Sequence, residues 1–402
     1  MANQNHHTPS LVGGILLVIG NVIGAGILAL PIATAQLGLC YAILMLFFFW
    51  TLMMLGAYYF LEANLALPSG SNLISMSRTA LGKTGTFIAW VCNLLVMYSL
   101  ISAYIAGGAD LIKVNFHYLG ITLPYSLAAL LFLLLFGFII SRGIHITDYI
   151  NRILMLFKAA VFFVVLMGLG IHFNTDFPSM IPQKNLSASL LIIVLTSFGF
   201  ATLVPSLRRY YQSDIKKIKK IIFWGTLIPF LCYTIWIVLI FSVLPYHGPG
   251  GLEQMSTSPH PVSDLQLALT QSLHLAWITQ VLNIFSAICV ITSFLANSIS
   301  LTDFIAEGLY SHHENKNSWN IYLMTYLPPF SAVLFYPKAF LFGLSLAGKL
   351  AIIQLLLLPG LIVWCLRYRQ KKISSYQVKG GKVLLISLLI ISFIILLLSM
   401  WQ

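Results

Sequence analysis

Three glycines interrupt an apolar run at residues 11–36, in the stretch Gly20-Asn21-Val22-Ile23-Gly24-Ala25-Gly26. Each costs a helix interior roughly 1 kcal/mol relative to Ala, so the stretch predicts a broken helix. In lipid every backbone amide needs a partner, and a break is tolerated only against protein or a watery cavity. There the freed N–H groups and half-helix ends can hold a carboxylate or a small cation. Packing is the competing reading, because Gly20-x-x-x-Gly24 is also the close-approach motif of paired membrane helices. A second apolar run is interrupted at Thr196-Ser197-Phe198-Gly199-Phe200-Ala201-Thr202, and each run carries a proline beyond its break, Pro31 and Pro205. A third candidate is Lys158, an ammonium inside an apolar run that costs a few kcal/mol unless it finds a partner or snorkels. Snorkelling is open to it, since Arg152 lies only ~9 Å away along a helix.

The elements that must position these residues follow from composition. Of 402 residues, 59% are hydrophobic and 8% charged, more apolar surface than one soluble core can hide. The chain reads as an all-α integral membrane protein with about eleven candidate spans of ~20 residues. These fall near 11–36, 39–67, 87–113, 124–141, 150–172, 187–205, 220–244, 276–305, 321–336, 344–366 and 383–401, with a Pro/Gly/Ser-rich loop to residue 85 before the third. Strand-like alternation is absent, which sets aside a barrel. The interrupted runs are the first and sixth spans. That plan divides a single transporter domain, 1–402, into two five-span inverted repeats at 10–172 and 187–366, with an extra span at 382–402. Paired interrupted helices in such corresponding positions are a sequence pointer to a transporter's central site.

A net charge of +12 does not point to nucleic acid, because the basic residues fall in every second loop. Arg78, Lys83, Arg142, Arg152, Arg208, Arg209, Lys216, Lys217, Lys219, Lys220, Lys316, Arg367, Arg369, Lys371, Lys372, Lys379 and Lys382 follow the positive-inside pattern. The amino terminus is then cytoplasmic and the carboxyl terminus is outside. Five cysteines and ten histidines offer no metal-ligand spacing, His312 and His313 lie in a solvated loop, and no cofactor is implied. No span carries a catalytic constellation or a ring of like charge, which disfavours an intramembrane enzyme and a channel. A sensor on the same scaffold would share the binding chemistry, but the chain shows no soluble output domain.

Several stretches carry a resemblance over the whole chain: G-A-G-I-L-A-L-P (24–31), T-S-F-G-F (196–200), V-P-S (204–206), D-I-K-K-I-K-K (214–220), T-S-F-L (292–295), L-P-P (327–329), L-F-Y-P-K (334–338) and Y-Q-V-K-G-G-K (376–382). They resemble the hydroxy and aromatic amino acid permease family. The resemblance implies the leucine-transporter type of inverted-repeat fold, in the bacterial cytoplasmic membrane. It also implies uptake of an aromatic amino acid, tyrosine above all, driven by an ion gradient. With Lys158 the coupling ion reads as a proton; sodium-coupled or exchange transport of tryptophan or another neutral amino acid is the alternative. Where the family usually follows T-S-F-G-F with His and a small residue, this chain has Ala201 and Thr202, so no role of that His carries over.

On this reading the backbone amides at 23–26 would seat the substrate's α-carboxylate. Carbonyls of Gly20, Asn21 and residues 197–199 would seat the α-amino group. Tyr98, Ser102, Tyr104, Phe198 and Phe200 would supply walls and a gate over an aromatic ring. Lys158 would stand where sodium-coupled relatives hold their ion. Thr292-Ser293 resembles the hydroxyl pair that completes such a sodium site, and the sequence does not choose between the two. Asp303 and Glu307, one turn apart at the inner end of the eighth span, would pair with basic residues of an inner gate.

Overall fold

Helix starts are set by short polar caps at the ends of apolar runs. Ser10 accepts the Gly13 N–H (3.0 Å) and opens α1, Leu11–Val22. After an irregular step at 23–25 the chain re-enters helix as α2, Gly26–Thr34, and continues through a 3-10 turn into α3, Gly38–Leu65. A reciprocal capping box between Asn72 and Ser75 opens α4, Leu73–Tyr118. Gly82, at φ +71° and ψ −154°, divides α4 into a short first piece and a long second one, a conformation open to glycine and strained for other residues. The loop expected up to residue 85 is therefore helical from Leu73. The cap, which composition alone did not weigh, supplies the start.

The chain continues as α5, Tyr125–Ser141, α6, Ile144–Ile171, and α7, Ala188–Thr196. A second irregular step and the 3-10 turn Ala201–Leu203 lead into α8, Val204–Tyr210. Asp214 caps α9, Ile215–Val243, by accepting the Lys217 N–H (3.1 Å). Then follow α10, Leu252–Thr257, α11, Pro261–Leu273, α12, Ala276–Leu309, and α13, Trp319–Phe335. Helix α14, Ala339–Ala351, widens into the π-helical segment Ile352–Leu357 before α15, Leu358–Trp364. A second wide segment, Cys365–Arg369, precedes the last helix, α16, Gly381–Met400.

The structure is a computed structural model, and it describes residues 10–142, 144–173, 187–273, 276–309, 319–336, 338–372 and 374–400. Asp176, Pro178, Pro182 and Lys184, between the fifth and sixth spans read from sequence, together with Lys316, His312 and His313, lie outside the described residues, as does the Glu307 side chain. Among the described residues there is no strand, and eight helical stretches are long and apolar enough to cross a bilayer. One of these is the continuous stretch Gly26–Leu65, while Leu11–Val22 and Tyr125–Ser141 are shorter apolar helices. The chain is thus an all-helical multi-span membrane protein. The count falls below the eleven runs read from sequence because α1 reaches only ~18 Å, about half a bilayer, before α2 flows into α3, and because α5 and α13 are each only 17 residues long.

Helix α2 is buried on every side from Ile27 to Thr34, as expected of a helix that is apolar all round. It packs on α7 and α9, while α12 lies between α4 and α6, and α14 between α4 and α7. Leu44, Phe47, Leu134, Leu135, Phe138, Leu156, Phe163 and Met167 are exposed on the outside, an apolar belt that suits lipid contact. At one end Glu62 of α3 accepts Arg367 (2.9 Å from Nε) and the Val378 N–H (2.8 Å). Nearby, Arg208 donates to the Asn64 and Leu67 carbonyls. These partners satisfy charges that would be expensive to bury alone.

Candidate functional site

Four carbonyls at the end of α1 have no intrahelical partner by construction. Ile19 keeps one through the Ile23 N–H (2.8 Å). The Val22 carbonyl accepts Tyr233 Oη (2.6 Å), and that of Ile23 accepts Lys158 Nζ. Gly20 and Asn21 keep carbonyls with no partner among the described residues. On the other side of the step, the Ala25 N–H donates to Ser293 Oγ (3.0 Å). The N–H groups of Gly24 and Gly26 are unpartnered among the described residues. The carboxylate seat anticipated over four amides thus narrows to two, because the Ile23 amide stays in the helix and Ser293 occupies that of Ala25.

The glycines serve the break and the packing together. A side chain at Gly26 would meet Ser197 Oγ at 2.7 Å, one at Gly24 would strike Ser293 Oγ, and one at Gly20 would strike the Met155 methyl. The two breaks therefore touch: Gly26 rests on Ser197, and Asn21 Nδ2 donates to the Gly199 carbonyl (3.3 Å). Tyr233 pins both, reaching Val22 O and also Ser197 O (3.2 Å). Pro205 lies in the first turn of α8 and Pro31 inside α2. Neither proline closes its run. A proline in a first turn surrenders an N–H that had no partner anyway.

Between the breaks lies a cavity of about 280 Å³, at the small end of ligand cavities. Of the residues expected here it is lined by Gly20, Asn21, Val22, Gly24, Ala25, Gly26, Tyr104, Ser197, Gly199, Thr202, Thr292 and Ser293. The lining extends on the α1 side to Leu17, Asn151 and Ser300. On the α2 side the way is filled by Trp236, whose Nε1 donates to Ile27 O (2.9 Å), and by the stacked rings of Phe162 and Phe285 (5.2 Å). Among the described residues no Asp, Glu, Lys or Arg lines the cavity. A ligand with a net charge would find no counter-charge there, whereas a neutral amino acid zwitterion finds two free amides and two free carbonyls at opposed half-helix ends.

Lys158 stands just behind this lining, buried, between α1 and α12. Besides the Ile23 carbonyl it reaches Thr292 Oγ1 (3.4 Å), so its ammonium is turned inward and does not snorkel toward Arg152. The remaining candidates sit elsewhere. Phe198 is fully buried edge-on to Tyr233 (5.4 Å between rings). Phe200 and Ala201 are buried in the surrounding core. Tyr98 Oη donates to the Met324 carbonyl (2.7 Å), and Ser102 Oγ to Tyr98 O (2.9 Å) and Pro329 O (3.3 Å). The cause lies in α13: Pro328 has no N–H to give the carbonyl four residues back, and Tyr98 supplies the missing donor. The expected aromatic walls thus reduce to Tyr104, and the rest of the wall is aliphatic, hydroxyl and amide.

Those amides are side chains that the apolar rhythm of the sequence does not single out. Asn93, Asn151, Asn297 and Gln354 line the cavity with Asn21. A glutamine inside the apolar run at 351–358 was nonetheless a legible signal, since a polar side chain at membrane depth is a functional candidate by default. Tyr233 and Trp236 carried no such mark among so many aromatics.

The profile of the tryptophan/tyrosine permease family matches residues 7–401. The tyrosine-specific transport system 1 of Haemophilus influenzae is 30% identical over 96% of this chain and 95% of its own length. The tryptophan-specific transport protein of Pseudomonas aeruginosa is 29% identical over 93% and 90%. The glutamine transporter 2 of Aliivibrio fischeri is 25% identical over 93% and 95%. A match of that extent, on a chain whose two helix breaks enclose a charge-free cavity, makes this protein a member of the tryptophan/tyrosine permease family, a transporter of the aromatic amino acid class and not an enzyme.

Proposed function

We propose that the chain is a secondary active importer of L-tyrosine, driven by protons, in the bacterial cytoplasmic membrane. The observation that carries the reading is the α1/α2 break. It offers two free carbonyls and two free amides to a zwitterion, while the ion's expected place behind it is taken by the Lys158 ammonium, bonded to Ile23 O and Thr292 Oγ1. A resident cation that can lose its proton favours proton coupling over sodium.

The same reading makes α1 and α2 one interrupted crossing, and α7 and α8 another, within about eleven spans. It divides them into inverted repeats at 10–172 and 187–366 followed by a last span. The basic loops put residue 10 on the cytoplasmic side and residue 400 on the periplasmic side. The lining toward Leu17 and the aromatic plug around Trp236 then correspond to a state open inward, one of the two that alternating access requires. The test is uptake in proteoliposomes: labelled tyrosine should accumulate on an inward proton gradient in sodium-free buffer. Unlabelled tyrosine should compete better than tryptophan, phenylalanine or serine, and an equal response to all four would sink the substrate assignment.

A further inference from the structure

Among the polar side chains of the cavity that the backbone breaks do not use, two are bonded to each other. Asn93 of α4 and Gln354 of the π-helical segment both line the cavity, and Gln354 Nε2 donates to Asn93 Oδ1 at 2.7 Å. Gln354 is only 3% exposed, so its amide has been carried deep into the bundle. The one other contact of either side-chain amide among the described residues is Asn93 Nδ2 to Met97 Sδ at 3.9 Å, and a thioether is a weak acceptor. The Gln354 carbonyl oxygen and most of the amide hydrogens thus have no protein partner among the described residues, at a wall of the cavity. Around the pair the wall is apolar, made by Val96, Met97, Leu100, Ala351 and Leu355. The wide turn at 352–357 is itself costly geometry, used in helices where a side chain must be redirected, often at functional sites.

We infer that the Asn93–Gln354 pair receives the hydroxyl of the substrate's ring and so lets the transporter tell tyrosine from phenylalanine. The inference rests on the reading of the cavity as an aromatic amino acid site and adds the group that reads the far end of the side chain. A phenol offers one donor and accepts in return. It can give its hydrogen to Gln354 Oε1 and take one from Asn93 Nδ2, closing a three-membered amide–phenol network. Both amides can turn over together without losing their mutual bond, so the pair presents donor and acceptor in either order. Phenylalanine fills the same apolar slot and leaves those buried groups unmatched. A site built to hydrogen-bond a hydroxyl rejects the analogue that lacks it far more strongly than a greasy slot rejects a missing methylene.

The test is displacement of labelled tyrosine from the purified wild-type protein and from Gln354→Met and Asn93→Leu, each checked for a single size-exclusion peak. In the wild type, phenylalanine and tyrosine O-methyl ether should each need at least about tenfold more ligand than tyrosine for half displacement. Either variant should bring phenylalanine and tyrosine within about threefold of one another, through weaker tyrosine and unchanged phenylalanine. Equal displacement by tyrosine and phenylalanine in the wild type, an experiment that needs no variant to fold, overturns the inference. So does an unchanged ratio in the folded variants. If the wild type binds none of tyrosine, phenylalanine and tryptophan, the aromatic reading itself fails, whereas tyrosine binding with no discrimination sinks the hydroxyl reader alone.

Discussion

Gly24, Gly199 and Tyr98 show how differently residues of one expected site can behave. At Gly24 an added methyl would strike Ser293 Oγ, the acceptor of the Ala25 N–H. At Gly199 it would meet only the Thr196 carbonyl at 3.2 Å and a Leu355 methyl at 3.7 Å. Gly24→Ala should therefore weaken tyrosine binding at least about tenfold, and Gly199→Ala by less than about threefold, because only the first puts the added methyl in hard overlap with a wall atom. Equal losses measured by isothermal titration would contradict that geometry. Tyr98→Phe should leave binding unchanged and cost on the order of 1 kcal/mol in thermal unfolding, the worth of one donor to an orphaned carbonyl. A change in affinity without loss of stability would return Tyr98 to the site. The sequence marked the glycines because they break an apolar rhythm. It could not separate Tyr98 from Tyr104, six places along the same run and identical in kind, since what distinguishes them is a pair of prolines more than two hundred residues away in α13.

Among the elements, the broken helices were legible because a helix interrupted by glycine in lipid has to be compensated, and the only compensation available is protein or a cavity. What compensates was not legible. Tyr233 and Trp236 of α9 supply donors to Val22 and Ile27, and nothing in a run rich in aromatics singles them out. The α10–α11 region shows a further tie of the same kind. His260, just before α11, bonds the buried Asp110 of α4 (2.5 Å) and faces the Tyr125 ring. The hydrogen bond to Asp110, outweighing partial burial, raises the His260 pKa above its ordinary 6.5. A raised folded value means that the contribution is complete below the unfolded pKa, about 6.5, and is lost as pH rises through the folded one. Protection of α11 amides from hydrogen exchange should accordingly be greater at mildly acidic pH than in alkaline buffer, and His260→Ala should flatten the difference. A wild-type profile that rises with pH would show that the pair does not hold this region.

For the whole molecule, composition and the spacing of basic loops already required a multi-span helical bundle, and family membership agrees with the resemblance read from motifs along its length. The cavity's chemistry was less visible, because it is made by residues that meet only in the fold: Asn93 from α4, Asn297 from α12 and Gln354 from the π-helical turn. The central claim concerns Lys158, whose contacts on α1 and α12 tie its charge to the two helices that must part or slide if substrate is to leave inward. Loss of its proton would replace a charge-assisted bond to Ile23 O by a weaker neutral one, and its return would restore the stronger contact, linking the break to the proton gradient. The decisive measurement is labelled tyrosine in sodium-free proteoliposomes, wild type against Lys158→Ala, with and without an inward proton gradient. The wild type should concentrate tyrosine only with the gradient, and Lys158→Ala should lose accumulation yet retain exchange of internal for external tyrosine. Normal accumulation by Lys158→Ala, or a wild type that works only when sodium is added, would contradict the account.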